Sequence, residues 1–430
     1  MSVAEASCPP LLTLAQAVEG LTRARERTLD LVAGISESDL EAVHSPLMSP
    51  LVWDIGHIAA YEDLWLAHRH GGLELQRPDL AGLYDAFEVP RAGRGDIPFL
   101  RRREAHAYSE AVRERVLAVA QCEGIGDGRL FEMVIQHEAQ HNETMLQTLG
   151  LARLDHHRPS DQAPLPAPCG SHTGLEMVDI PGGPTLQGAP SGRFSYDNEL
   201  PAHRVALADF RIGRTPVTNG AWLEFVAEGG YERREWWSEA GWSWREQTGA
   251  LAPGSWVAGP DGYEEWRTGG RQALDPSLPV VHVCFWEAEA FARSRHARLP
   301  TEAEWERAAQ AGEARWPWGD ASAAGRANLA ESGHYATAPV GSFGAGASPE
   351  GVLGMVGDVW EWTATDFDGY PGFAPDPYRE YSEVFFARGY RVLRGGSWAT
   401  SARVASPTLR NWDLPARRQI FAGVRLARDA

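Results

Sequence analysis

Apolar positions in the first third of the chain recur with the period of an α-helix. Four segments carry this pattern, with apolar residues returning every three or four positions. The segments lie around Leu14, Ile58, Val112 and Val134. Each amphipathic helix must bury its apolar stripe against another, so four of them predict an antiparallel bundle. We assign residues 1–154 to this helical domain.

The pattern changes after that domain. Residues 155–175 have no periodicity and contain several prolines, which predicts an interdomain linker. Residues 176–430 alternate short strand-like runs with Gly, Pro and Asn turns and contain many tryptophans. Two helix signals stand out there, after Thr218 and after Thr301, and the second opens with a capping box. We therefore predict an α+β domain with long irregular loops.

Composition and charge restrict the class of partner. The 430 residues include 58 acidic and 40 basic side chains, giving a formal net charge of −18. Nucleic acids and anionic membranes bind clustered basic surfaces, so we expect neither and favour a small molecule. No apolar run approaches the ~20 residues that span a bilayer, and no signal-peptide pattern is present, which predicts a cytoplasmic protein. The oligomeric state is not readable; a monomer is the working expectation.

The four cysteines indicate neither a disulfide framework nor a thiolate metal site. Cys8, Cys122, Cys169 and Cys284 are scattered along the chain without CxxC spacing. We expect them to be reduced thiols, and their pattern assigns them no further role.

The sharpest local pattern is a pair of histidines on the last predicted helix. His137 and His141 are four residues apart, so they share one helix face, which continues through Met133 and Met145. Imidazoles on an apolar stripe are costly to bury unless each finds a partner, and a shared metal supplies one. His57, flanked by apolar residues at the head of another helix, offers a third ligand. Such a site leaves positions open for substrate and dioxygen.

Two other interpretations of these histidines stay open at this point. All three could be hydrogen-bonded structural residues, which a lone histidine on an apolar face usually is. Residues 137–141 are also a literal HExxH, which would make Glu138 the general base of a zinc hydrolase. Against the hydrolase, no third histidine follows the motif and no edge strand is predicted nearby. Imidazole suits zinc, copper, nickel and iron alike, so ligand type does not identify the metal.

Longer stretches of the chain resemble known families. The first half contains SPLVWDIGHIAAYEDLWL and FEMVIQHEAQHNETMLQTL, which resemble the DinB-type bundle of the ergothioneine-biosynthetic sulfoxide synthases. The second half contains MVDIPGGPTLQGA, GMVGDVWEWTATDFDGYPGF and YRVLRGGSWATS, and is similar to the formylglycine-generating-enzyme module. The resemblance implies a DinB-like four-helix bundle followed by a C-type-lectin-like α+β domain.

The resemblance also implies an activity. These synthases join hercynine, which is trimethylhistidine, to γ-glutamylcysteine, with iron(II) as cofactor and dioxygen as co-substrate. The expected product is γ-glutamyl-hercynylcysteine sulfoxide, an intermediate of ergothioneine biosynthesis. His57, His137 and His141 match the family's iron ligands, in agreement with the choice made from spacing. Gln140 matches a residue beside the metal.

Further residues match the substrate-binding positions of that family. Tyr378 corresponds to the proposed proton donor near the bound oxygen, and Tyr381 to a residue that supports the substrate through water. The remaining matches bind substrate groups: Asn411 the hercynine carboxylate, Trp412 the trimethylammonium, Asp413 the γ-glutamyl amino group, and Arg91 and Arg94 the carboxylates of γ-glutamylcysteine. These pairings are chemically sound, because a quaternary ammonium favours an aromatic face and guanidinium forks match carboxylates.

Three alternatives come from other classes. A formylglycine-generating enzyme needs a cysteine pair in its C-terminal core, but no cysteine follows Trp398 in this chain. A purely lectin-like binding module would leave the three histidines without a purpose. A related synthase that uses free cysteine, of the ergothioneine or ovothiol branch, would have less need of Arg91 and Arg94.

Overall fold

The structure is a computed structural model that describes residues 11–154, 162–167, 170–260, 262–310 and 312–430. Residues 1–10 and part of the predicted linker (155–161 and 168–169) lie outside the described residues, and with them Cys8 and Cys169. The chain forms two compact units. The first ends at Ala152 and also includes Ser191–Phe194, and the second comprises Arg153–Pro190 and Ser195–Ala430.

The first unit is helical. Its helices are α1 (Leu14–Val32), α2 (Glu37–Glu41), α3 (Leu51–Glu62), α4 (Arg102–Cys122) and α5 (Arg129–Ala152). α3 continues as a π-helix over Asp63–His70, and 3₁₀ turns follow at Pro78–Leu80 and Arg91–Gly93. α1 packs on α5, and α3 packs on both α4 and α5. The long helices therefore form the four-helix bundle that the periodicity predicts.

The prediction that His57 stands at the head of a helix is wrong. α3 begins at Leu51, so His57 lies in its middle. The reason is burial: every residue from Leu51 to Ala59 is buried, so the first two turns have no polar face. A helix that is buried on all sides shows no alternation of apolar and polar faces in its sequence. The sequence therefore did not reveal that α3 begins at Leu51.

The second unit contains twelve short strands within its described residues. They are β1 (Met177–Ile180), β2 (Gly183–Gln187), β3 (His203–Leu207), β4 (Phe210–Gly213), β5 (Trp256–Gly259), β6 (Gly262–Arg267), β7 (Gly270–Ala273), β8 (Trp360–Asp366), β9 (Arg391–Arg394), β10 (Asn411–Asp413), β11 (Ala422–Gly423) and β12 (Ala427–Asp429). They pair as β1-β4-β12, β10-β9-β8-β11, β2-β3 and β5-β6-β7. All pairs are antiparallel except β11 with β8, which is parallel.

Helices in this unit are α6 (Asn219–Ala227), α7 (Glu239–Thr248), α8 (Phe285–Ser294) and α9 (Glu302–Ala309). The 3₁₀ turns are Asp197–Glu199, Arg234–Trp236, Ala330–Ser332, Gly344–Gly346, Arg379–Tyr381 and Glu383–Phe385. The predicted helix starts are confirmed, because the side chains of Thr218 and Thr301 cap α6 and α9. α7 and α8 were not predicted, since α7 contains two tryptophans and a glycine, which are weaker helix formers, and α8 follows Cys284 instead of a usual capping residue.

Buried ion pairs join α9 to the central sheet of the second unit. Arg394 on β9 contacts Glu302 and Glu306 on α9, with N···O distances of 2.8 and 2.5 Å. Arg410, just before β10, also binds Glu302, at 2.7 Å. Burial raises the pKa of Glu302, but the two arginines outweigh it and hold that pKa below its usual value. This network fixes the start of β10, the strand that carries the predicted Asn-Trp-Asp triplet.

None of the helices in the described part of the chain combines the length and the apolar character that crossing a membrane requires.

Candidate functional site

Three imidazoles converge inside the helical unit. His57 comes from α3, and His137 and His141 from successive turns of α5. One ring nitrogen from each lies within 4.8 Å of those of the other two. His57 Nε2 and His137 Nε2 lie 3.2 Å apart. The structure thus brings together the three residues predicted as ligands, which we call the histidine cluster.

Hydrogen bonds fix which nitrogen of two of the rings faces the cluster. A carbonyl oxygen can only accept, so His57 Nδ1 donates to the Tyr84 carbonyl oxygen at 2.7 Å and its Nε2 keeps a free lone pair. His141 Nδ1 donates in the same way to Asp54 Oδ1 at 3.2 Å. Burial, and then the neighbouring His141, lowers the pKa of both His57 and His137 well below the usual value. His57 and His137 are therefore neutral bases at neutral pH.

Such a donor set fits a metal ion. Neutral imidazoles bind Zn²⁺, Fe²⁺ and related ions through a bare ring nitrogen at about 2.0–2.1 Å, which brings ligand atoms to about 3 Å from each other. The other ring nitrogen of such a ligand usually donates its hydrogen to a carbonyl or carboxylate oxygen, which holds the ring in place. His57 Nε2 and His137 Nε2 meet the first condition at 3.2 Å, and His57 and His141 meet the second. Three ligands leave room for substrates.

Aromatic rings wall the histidine cluster. Trp53 stacks on His57 with ring centroids 4.9 Å apart, and Tyr61 stacks on His137 at 3.7 Å. Both lie four residues from His57 on the same helix, so they occupy its face. Gly56 admits the Tyr84 ring, since a Cβ at that position would lie 2.2 Å from Tyr84 Cζ. Sequence reasoning did not assign these residues, although their spacing from His57 was visible once α3 was known to start at Leu51.

Glu138 faces away from the histidine cluster. Its carboxylate accepts from Arg25 Nε and Thr28 Oγ1, each at 2.8 Å, and Arg113 lies at 3.4 Å. Glu62 pairs with the same two arginines, at 2.8 and 2.6 Å. We call Arg25, Glu62, Arg113 and Glu138 the ion cluster.

The ion cluster joins all four long helices and leaves Glu138 only 1% exposed. Burial lowers the pKa of Arg25, but Glu138 and Glu62 outweigh it and raise that pKa above its usual value. Glu138 is therefore not placed to activate a water at the histidine cluster, and the zinc-hydrolase alternative fails on geometry.

The two predicted substrate arginines differ in their surroundings. Arg91 is exposed. Arg94 is buried; it donates to the Val89 and Ala86 carbonyl oxygens and to Ser49, and its guanidinium lies 3.8 Å from the Trp53 ring centroid. Burial lowers the pKa of Arg94 to about 10. Arg94 thus supports the Trp53–His57 stack, whereas Arg91 is accessible to a ligand.

Gln140 lies on α5, three residues after His137 and directly before His141. Residues three apart on a helix are neighbours on its surface, so Gln140 lies beside the His137 position. Its side chain is partly exposed.

In the second unit the structure brings three predicted residues into one aromatic group. Tyr381 meets both Tyr378 and Trp412 edge to face, at ring-centroid distances of 6.2 and 5.9 Å. Trp412 also stacks on Phe367 at 4.1 Å, and Tyr196 stacks on Tyr381 at 4.4 Å. Tyr381 ends the 3₁₀ turn Arg379–Tyr381, which Tyr378 precedes. We call Tyr196, Phe367, Tyr378, Tyr381 and Trp412 the aromatic group.

Asn411 and Asp413 flank Trp412 on β10, and all three are partly exposed. Asn411 Oδ1 accepts from the Trp412 amide at 2.9 Å. Asp413 accepts from the Leu414 amide at 2.7 Å and from Gln419 at 3.1 Å. β10 pairs with β9, so the triplet stands on a rigid strand rather than on a loop.

Comparison with known proteins adds the family. The DinB superfamily pattern matches residues 20–145, and the sulfatase-modifying factor enzyme 1-like domain matches residues 162–430. The hercynine oxygenase of Mycolicibacterium smegmatis is 45% identical over 95% of this chain and 97% of its own length. That of Mycobacterium tuberculosis is 46% identical over the same shares. The chain belongs to the hercynine oxygenase family.

Membership confirms the resemblance and the fold class predicted from the sequence, and it confirms that the chain is an enzyme, an oxygenase. A formylglycine-generating enzyme of M. tuberculosis is 37% identical, but over only 47% of this chain. That similarity accounts for the second unit alone and leaves the helical unit with its histidine cluster unexplained.

Proposed function

We propose that this enzyme joins hercynine and γ-glutamylcysteine through a new C–S bond and oxidises the sulfur to a sulfoxide. The observation that carries the proposal is the convergence of His57, His137 and His141, found in a chain of the hercynine oxygenase family. The reaction balances with one dioxygen. The imidazole carbon loses a hydrogen, the thiol loses a hydrogen, one oxygen atom becomes the sulfoxide and the other leaves as water.

The histidine cluster is the proposed iron(II) site. Bound iron(II) would supply redox chemistry toward dioxygen and a Lewis-acid centre for the imidazole and thiolate of the substrates. The protein's part is to present neutral ring nitrogens in fixed orientations, which the Tyr84 carbonyl and Asp54 do for two of them. Gln140, next to His141, is proposed to border the substrate position.

Hercynine is proposed to bind through Trp412 and Asn411. A trimethylammonium cannot donate hydrogen bonds, so it gains most from an aromatic face, by about 1–2 kcal/mol when it is desolvated. The Trp412 ring is held in place by stacking on Phe367, which supports its use as such a face. Asn411 offers an amide donor to the carboxylate of the same substrate.

γ-Glutamylcysteine is proposed to bind through Asp413, Arg91 and Arg94. Asp413 provides a negative charge for the substrate ammonium. Arg91 is the accessible donor for a carboxylate, and Arg94 keeps two of its five N–H groups beyond those that already bind protein acceptors. A dipeptide with two carboxylates matches two guanidinium groups better than free cysteine does.

Tyr378 is proposed to deliver a proton during oxygen reduction, and Tyr381 to support the substrate through water. If so, Tyr378→Phe should shift products from C–S coupling toward simple oxidation of the thiol, because the proton source is gone while the ring remains. Tyr381→Phe is the matched control and should keep the product ratio. Mass spectrometry of the products measures that ratio, and an unchanged ratio in Tyr378→Phe would remove this residue from the mechanism.

The thiol substrate is tested separately. We expect kcat/KM for γ-glutamylcysteine to exceed that for cysteine by at least about tenfold, since each charged hydrogen bond contributes about 1.5–3 kcal/mol. Oxygen uptake with hercynine and either thiol measures both values. A preference for cysteine would favour the synthases that use the free amino acid.

Small molecules are the proposed partners, and the cytoplasm is the proposed compartment. The described cysteines, Cys122 and Cys284, are free thiols, as is usual in a reducing compartment. A thiol substrate would also persist there in its reduced form.

A further inference from the structure

We propose that Asp54 is a positioning residue for the metal site. Its carboxylate accepts the Nδ1 hydrogen of His141 at 3.2 Å, so the Nε2 lone pair of that ring is turned toward His57 and His137. Its negative charge would act through the His141 ring on a metal that the histidine cluster holds. The inference rests on the metal site of the proposed function, and it assigns a residue that acts through a ligand rather than on the substrate.

Local structure makes this contact specific. Asp54 lies three residues before His57, so both face the same side of α3 one turn apart. It also lies in the first turn of that helix, where the amide dipoles favour a negative charge. α3 therefore presents one ligand itself and orients a second ligand that belongs to α5.

The charge of Asp54 needs a compensating partner. The residue is 0% exposed, and within the described part of the chain its Oδ2 has no hydrogen-bond partner. The nearby Arg94 interacts with it electrostatically, but His141 is the group that its other oxygen contacts. An ionised carboxylate in a protein interior is costly unless a positive charge is near. A divalent cation on His141 Nε2 would provide that charge through the ring.

The other two ligands are supported by neutral groups. His57 donates to a main-chain carbonyl oxygen, and His137 stacks on Tyr61. His141, by contrast, contacts a carboxylate, that of Asp54. Removing its charge should therefore change the properties of the metal as well as its affinity.

The test compares the wild type with Asp54→Asn and Asp54→Ala in the full-length chain. Asn can still accept the His141 hydrogen but carries no charge, whereas Ala removes both. Anaerobic calorimetric titration gives the dissociation constant for Fe(II), and a redox titration gives the Fe(III)/Fe(II) potential. We expect affinity to fall by about 10-fold in Asp54→Asn and about 100-fold in Asp54→Ala, the range found for outer-shell partners. The potential should rise in Asp54→Asn, because a nearby negative charge stabilises the higher oxidation state.

Asp63→Asn is the matched control. Asp63 follows the same helix and is also buried, but it pairs with Arg115 and the Gln76 amide and not with an imidazole. Its substitution should lower stability while leaving Fe(II) affinity and potential unchanged. The inference is overturned if Asp54→Asn matches Asp63→Asn in both quantities, since its effect would then be one of helix stability.

His141→Ala separates this inference from the proposed function. If that variant binds Fe(II) as tightly as the wild type, the proposed metal site is wrong. If it loses Fe(II) but Asp54→Ala binds within twofold of the wild type, the metal site stands and the role of Asp54 is wrong.

Discussion

His137 and Glu138 are neighbours on α5, yet their side chains enter two different buried clusters. The ion cluster contains two arginines and two glutamates, so its charges balance and each carboxylate has its donors. The histidine cluster contains three bases whose nitrogens converge with no acid among them. The charges of the ion cluster compensate one another in the folded chain. Three converging bases instead leave ring-nitrogen lone pairs that a bound cation would share. The comparison distinguishes a cluster whose charges balance within the fold from the cluster that we propose as the metal site, on the same turn of helix.

The largest expected effect comes from removing a ligand. His137→Ala should weaken Fe(II) binding by more than about 100-fold, because loss of an outer-shell partner alone costs about 10–100-fold. Oxygenase activity should fall below detection. Metal content after anaerobic reconstitution measures the first effect and oxygen uptake the second. If His137→Ala retains wild-type affinity, the two clusters do not differ as described.

The ion cluster should respond in stability instead. Glu138→Ala should lower the free energy of unfolding of the helical unit by about 3–5 kcal/mol, because it leaves the buried Arg25 and the largely buried Arg113 with one carboxylate between them. Urea unfolding followed by helical circular dichroism measures this. Glu19→Ala is the matched control, since Glu19 pairs with Arg23 on the surface of α1 and should change stability by less than about 1 kcal/mol. A loss confined to Fe(II) affinity in Glu138→Ala would contradict the assignment.

Arg91 and Arg94 also differ in their surroundings, since Arg91 is exposed and Arg94 is buried. Arg91→Ala should raise KM for γ-glutamylcysteine by about 10-fold with unchanged stability, because an exposed charged hydrogen bond to the substrate is lost. Arg94→Ala should lower stability by about 1–3 kcal/mol, since its buried acceptors lose their donor. Steady-state kinetics and thermal unfolding on both variants test the pair. An unchanged KM in Arg91→Ala would remove the exposed arginine from the proposed γ-glutamylcysteine site.

The smallest expected effect concerns the stacked ring. Tyr61→Leu should weaken Fe(II) binding by about 0.5–1.5 kcal/mol, which is the contribution of an aromatic pair beyond its buried area. Tyr61→Phe keeps the ring and should bind Fe(II) as the wild type does. Anaerobic calorimetric titration of both variants with Fe(II) measures the two affinities. If Phe and Leu weaken binding equally, the hydroxyl group and not the stack is what matters.

The sequence predicted the histidine cluster because its information is local. His137 and His141 are one helical turn apart, and His57 stood out as a histidine among apolar residues. The bundle and the α6 and α9 caps followed from period and capping in the same way. Contacts between distant segments were beyond this reasoning. Arg25 meets Glu138 across 113 positions of sequence.

The outer partners were missed for a related reason. His57 donates to the main-chain carbonyl oxygen of Tyr84, and a main-chain group is the same in every residue type, so the sequence cannot indicate this contact. Asp54 and Trp53 lie in the fully buried part of α3, where the absence of a polar face concealed the helix. The spacing of Tyr378 and Tyr381 was visible, but their meeting with Trp412 depends on the fold of a loop segment.

One measurement tests the central claim most directly. The wild type and His137→Ala are reconstituted with Fe(II) without oxygen, mixed with hercynine and γ-glutamylcysteine, exposed to dioxygen and analysed by mass spectrometry. We predict one iron per chain and γ-glutamyl-hercynylcysteine sulfoxide from the wild type, and neither from the variant. Iron-loaded wild type that yields no sulfoxide conjugate, or a variant that yields as much, would contradict the account.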